Sequence, residues 1–269
     1  MMKKGFSRPI WVLSFAIAGL AAISSIGGLV FGGLYRGTEF VNSTWLGNDL
    51  VTLCVAIPLL LAAMLMARRG SLRAQLVWIG MLDYMLYNFA FYLFGVSFNE
   101  FFFIYVSLLA LSIWALVLAL MSMDVERMMA VFESRGLANG IAGFNAFVGI
   151  TLSVVYFLQW LAFAIGGDVP AIIQMSGHPT HLVFALDLSI VVPVLLVSAV
   201  LLWRRRPWGV VLAAMGNVKG AVYMVALSAA TVTAYQAGTI DAVTEISLWA
   251  AIGAGSAIAA FALLRRIKT

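Results

Sequence analysis

Apolar residues run through this chain in long blocks separated by short polar turns. Eight blocks can be marked, near 11–34, 47–67, 74–95, 100–121, 141–166, 181–203, 208–230 and 244–264. A helix rises ~1.5 Å per residue, so about 20 residues cross the ~30 Å hydrocarbon layer of a bilayer. Inside that layer the backbone must satisfy its own hydrogen bonds, which helices do. The pattern therefore predicts an all-α integral membrane protein with eight transmembrane helices.

Composition agrees with this pattern. At 64% hydrophobic, 10% charged and a mean hydropathy of +1.05, the 269-residue chain is no ordinary soluble protein. The net charge of +5 would suit a nucleic-acid partner, but the positions of the basic residues report topology instead. Lys3, Lys4, Arg8, Arg68, Arg69, Arg73, Arg127, Arg135, Arg204, Arg205, Arg206, Arg265, Arg266 and Lys268 all fall on one side of an eight-span frame. By the positive-inside rule that side is the cytoplasm, which makes both termini cytoplasmic and the plasma (inner) membrane the expected location. Arg36 alone falls in an outer loop, and Lys219 alone within a span. Lys3 and Lys4 before an apolar run resemble a signal peptide, yet the run is too long and lacks a clear cleavage site, so it reads as the first membrane helix. The single cysteine, Cys54, cannot form an internal disulfide. The lipid bilayer is the expected partner, with no nucleic acid.

The chain also looks duplicated. Moved back by 136 residues, Arg204, Arg205, Gly216, Lys219 and Tyr223 fall on Arg68, Arg69, Gly80, Asp83 and Tyr87; moved back by 135, Pro193 falls on Pro58. Four spans per copy is an even number, so both copies share one orientation and the pseudo-two-fold axis stands along the membrane normal. The expected organisation is a first four-helix repeat over 1–122, a cytoplasmic amphipathic linker over 123–140, and a second repeat over 141–269. In the linker Val125, Met128, Met129 and Phe132 recur at helical spacing among charged residues. Asn48 and Asp49 read as the N-terminal cap of the second span, because their side chains accept from free backbone amides. Pro58 and Pro193 should kink the second and sixth spans. The sequon Asn42, Ser43, Thr44 reads as a chance occurrence.

Candidate chemistry centres on charges that the membrane makes costly. Asp83 and Lys219 fall near mid-depth, where an unpaired charge costs on the order of 3 kcal/mol. They become an acid and a base facing each other if the third and seventh spans meet, with Tyr87 and Tyr223 one turn further along and Asn88 beside them. Asp187 offers Lys219 a second partner. His178 and His181, with an outer acid such as Asp49, Glu100 or Glu245, have the donor types of a metal site, although Pro179 stands between them and no second ligand cluster is present. A lysine in the seventh span also invites a retinal Schiff base with Asp83 or Asp187 as counterion, but Gly216, Asn217, Val218 and Gly220 match no rhodopsin pattern and an eight-span duplicated frame is not a rhodopsin's. No GxxxxGK[ST], GxSxG, HExxH or CxxC motif occurs, so nucleotide hydrolysis, thiol redox and the common hydrolase chemistries have no local support.

The polar residues of the outer half suggest a transporter-like or channel-like protein for a small solute or proton, with a polar cavity at the repeat interface opening to the outer face. The alternatives are a membrane-embedded enzyme acting on a lipid-like substrate from the outer side, or a structural subunit of a membrane complex. No cofactor is named by the residues.

Overall fold

The computed structural model describes residues 6–128 and 135–267, and every regular element among them is helical. In chain order these are α1 (Arg8–Val30), α2 (Glu39–Arg68), α3 (Leu72–Gly95), α4 (Phe102–Met121), α5 (Arg135–Gly166), the short α6 (Ala171–Ser176), α7 (Leu182–Trp203), α8 (Pro207–Gln236) and α9 (Glu245–Arg266). All but α6 are long and apolar enough to cross a membrane, as the eight sequence blocks predict.

Two boundaries depart from expectation. The second long helix begins at Glu39, capped by Thr38, whose hydroxyl accepts from the Val41 amide at 3.3 Å. Asn48 and Asp49 are therefore interior residues of α2 and do not cap it. Asn42 of the sequon lies in the first turn of the same helix and bonds both ways with the Gly37 backbone. Arg135 already belongs to α5, Val125 to Met128 form a 3-10 turn, and Met129 and Phe132 of the expected surface helix lie outside the described residues.

The two helices with a proline in their interior, α2 and α7, each carry a widened turn. In α2 it spans Thr52–Ala56, two residues before Pro58; in α7 it spans Asp187–Val191, two residues before Pro193. Proline lacks an amide hydrogen and its ring crowds the carbonyl one turn back, and a single π turn is a common way for a helix to absorb that mismatch. The two segments stand 135 residues apart, the same spacing as the prolines.

The most deeply buried helices, α3 and α8, cross at the centre of the bundle. They approach through Gly80: a Cβ there would lie 2.6 Å from Val218 Cβ and 3.2 Å from the Met215 carbonyl oxygen. Similarly, Gly47 lets α2 press on the backbone of Ala229 and Ala230 in α8. Lipid offers no hydrophobic drive for helix association, so close backbone approach and interhelical hydrogen bonds carry the packing. Trp78 donates to Ser14 Oγ at 2.9 Å, tying α3 to α1, while Asn217 donates to Asn145 and Asn145 to Ser198, tying α8, α5 and α7.

Around this centre, α1 lies along α4 and α2, α5 lies on α7, and α9 lies on α8. The two sides differ in closure. Where α1 packs along α4, α5 and α9 meet only over a short stretch, with Phe144 pressed on Gly255. Arg73 donates to the Ile267 carbonyl at 2.9 Å, so the α2–α3 turn and the end of α9 share one end of the bundle. At the opposite end Arg36 pairs with Glu100, α6 is held through Thr38 donating to the Met175 carbonyl, and Glu100 titrates below its ordinary value because of a backbone hydrogen bond first and Arg36 second.

Candidate functional site

The gap between α5 and α9 is a cavity of about 750 Å³. Its walls come from α5, α7, α8 and α9, its back from α2 and α3, and α6 and the residues around Ile240 to Thr244 rim the end away from Arg73. The lining is mostly apolar, with Phe40, Phe91, Val148, Leu152, Leu195 and Ile252 among it. Asp83, Lys219, Tyr223 and Asp187 reach it, and Asn48, Thr151, Gln159, Glu245 and Ser256 are among its further polar lining residues. The sequence pointed to a polar cavity; the chain instead builds an apolar chamber with charged groups in its wall, the usual character of a small-molecule site.

Asp187 opens the widened turn of α7 and is held by two tyrosines. Tyr87 of α3 donates to Oδ1 at 2.7 Å and Tyr156 of α5 donates to Oδ2 at 2.6 Å. One carboxylate thus fixes three helices. Interhelical hydrogen bonds carry packing where lipid gives no hydrophobic drive, so this clamp is a principal polar link on that side.

Lys219 is 3% exposed, and its Nζ lies 3.6 Å from the centroid of the Tyr87 ring and 5.4 Å from that of Tyr223. Asp83, also 3% exposed, is within electrostatic range on the neighbouring helix, as is Asp187. The expected direct acid and base pair is not formed. No ion pair within 4.0 Å joins Asp83 and Lys219, and among the described residues neither makes a side-chain hydrogen bond. The reason is geometric: Tyr87, one turn beyond Asp83, places its ring over the ammonium. Tyr223 packs edge-on against Tyr87, ring centroids 4.8 Å apart, and its buried hydroxyl has no partner.

Asn88 stands apart from this group. It accepts from Asn48 at 2.8 Å and donates to Thr52 at 3.3 Å, which fastens α3 to α2 with its side chain fully buried.

The histidines are engaged with backbone. Nε2 of His178 is 2.8 Å from the Gly95 carbonyl, which fixes the proton on that nitrogen. His181 caps α7, its Nδ1 accepting from the Phe184 amide at 3.2 Å, and its ring stacks on Phe184, which stacks on Tyr156. Burial lowers the His181 pKa to about 4. Among the described residues no three His, Cys, Asp or Glu side chains gather as a metal site would require.

Sequence reasoning missed a second carboxylate held the same way. Asp49, fully buried in α2, accepts from Tyr92 at 2.8 Å and from Tyr35, whose own pKa burial pushes up, with Asp49 adding to it. Gly28 of α1 has no side chain where Asp49 and Tyr35 meet it, so any Cβ would displace them. The signal available was a carboxylate ten residues inside a helix that Thr38 can cap, with Tyr35 in the connection before it and Tyr92 on the next span. No family model matches the chain, and no curated protein or solved structure matches it significantly.

Proposed function

We propose that this polytopic membrane protein is a transporter-type binder of a small amphipathic solute, with the solute's polar end at Asp83, Lys219, Asp187 and Tyr223 and its apolar remainder along α5 and α9. The observation that carries this reading is the acid and the base left without hydrogen bonds in the wall of a 750 Å³ apolar chamber. A bundle held together by a structural ion pair would join them, because a buried charge is costly until it is paired. The separation of α5 from α9 gives the solute a path from the bilayer as well as from the end rimmed by α6.

In this reading the chain is a parallel duplication, 1–122 and 141–269 joined through 123–140, with one copy closed by α1 on α4 and the other open between α5 and α9. The equal spacing of the two proline-linked π turns supports the duplication. The gathering of arginines in alternate turns supports cytoplasmic termini and a plasma-membrane location. An enzyme using His178 and His181 is served less well, since both rings are spent on backbone contacts. The test is proteoliposome exchange of a short-chain fluorescent amphiphile together with an internal pH dye. Wild-type protein is expected to move the amphiphile and Lys219→Ala to lose most of that activity; equal movement by both, or by empty liposomes, sinks the reading.

A further inference from the structure

Electrostatic balance narrows the solute. Lys219 is one basic group near two carboxyl groups, Asp83 and Asp187, with Glu245 further along the same lining, so acidic side chains outnumber basic ones around the chamber and an anionic head group is disfavoured. An uncharged head with an acceptor oxygen fits better. Tyr223, one turn from the lysine, lines the same wall, and its buried hydroxyl is a donor without a partner. An ammonium seeks three acceptors, yet Nζ has only an aromatic face beneath it. A desolvated lysine in an apolar pocket is the state in which the neutral amine acts as a nucleophile.

We propose, resting on the amphiphile-binding reading above, that the cavity accepts an uncharged aldehyde on a long apolar skeleton and that Lys219 condenses with it to an imine. The Nζ lone pair attacks the carbonyl carbon, and the oxygen takes up a proton to give a carbinolamine. The C–O bond then breaks as C=N forms. Both hydrogens of the neutral amine leave with the carbonyl oxygen as one water, and no oxidant or reductant takes part. Asp83, unbonded in the same wall, relays the proton to the departing hydroxyl. The Tyr223 hydroxyl holds the carbonyl oxygen during attack. The apolar wall between α5 and α9 receives the chain and excludes the water that would reverse the step.

The experiment uses full-length protein in lipid nanodiscs, hexadecanal as the probe, borohydride reduction, and intact mass followed by peptide mapping. One adduct per chain is expected on Lys219, heavier by the aldehyde less one oxygen. Lys3, Lys4 and Lys268, at the chain ends, serve as internal controls. Asp83→Asn is expected to slow labelling at least tenfold without lowering its final extent. Hexadecan-1-ol, which cannot condense, is titrated separately by tryptophan fluorescence, with Trp249 in the cavity wall as reporter. Binding of the alcohol with protection of wild-type Lys219 supports the proposal and requires no variant to fold. If the alcohol binds while aldehyde label appears only on the terminal lysines, the imine is wrong and the binding site stands. If neither engages the cavity, both readings fall.

Discussion

The crossing of α3 and α8 sets the position of Asp83 and Lys219, and Gly80→Ala tests it directly. The new Cβ would stand 2.6 Å from Val218 Cβ and 2.7 Å from Val218 Cγ1, against an ordinary carbon contact of about 3.5–4.0 Å. Val218 Cβ cannot rotate away because it is fixed to the helix backbone. The helices must therefore separate by roughly 1 Å, and overpacking of this kind costs about 1–3 kcal/mol. The closeness of Cβ also dictates which second change compensates. Val218→Ala removes only the Cγ1 contact, whereas Val218→Gly removes both, so glycine should rescue Gly80→Ala better than alanine does despite its own cost of about 1 kcal/mol in a helix. Reversible unfolding in mixed micelles, run as a double-mutant cycle, measures the coupling. A coupling of at least about 1 kcal/mol is expected between Gly80→Ala and Val218→Gly. Additive effects, or a Gly80→Ala protein as stable as the parent, would refute the close crossing.

Three further outcomes are expected. Tyr156→Phe and Tyr87→Phe each remove one hydrogen bond to Asp187, each should cost about 1.5–3 kcal/mol in the same unfolding assay, and the pair should lose more than the sum of the singles because the carboxylate is then left with no donor. Asn145→Ala breaks both the Asn217 and Ser198 bonds and should destabilise by about 1–3 kcal/mol, while Asn145→Asp, which can accept but not donate, should keep only part of the link. His181 is neutral when folded, with a pKa near 4 against about 6.5 unfolded; its contribution is full above about pH 6.5 and erodes as pH falls toward 4. His181→Asn keeps an acceptor for the Phe184 amide without titrating, so its thermal midpoint should fall less over that window; an unchanged pH slope would contradict the cap assignment.

Much of this arrangement was legible in the sequence because the bilayer penalises charge so heavily. Asp83, Asp187 and Lys219 stood out as costly in apolar runs, and helical spacing put Tyr87 and Tyr223 next to them. The proline spacing also anticipated matching distortions in α2 and α7. The start of α2 was obscured because Glu39 to Asp49 mixes polar and apolar residues, and Ser43, Asn48 and Asp49 among them are buried. The roles of Tyr156 and Tyr35 depend on how α5 meets α7 and how the α1–α2 connection folds back, neither of which a single helix pattern encodes. Least legible was the separation of α5 from α9. Lipid-facing and cavity-facing positions are both apolar, so hydropathy does not distinguish a wall of a chamber from a wall of the bundle.

The central claim is that the chamber between α5 and α9 holds an amphipathic molecule against Lys219. A high-resolution map of the protein extracted with its native lipids tests it most directly. Elongated non-protein density along α5 and α9, ending within hydrogen-bonding distance of Lys219 Nζ and the Tyr223 hydroxyl, is the predicted result. A collapsed, dry interior with Asp83 and Lys219 joined as an ion pair would contradict it.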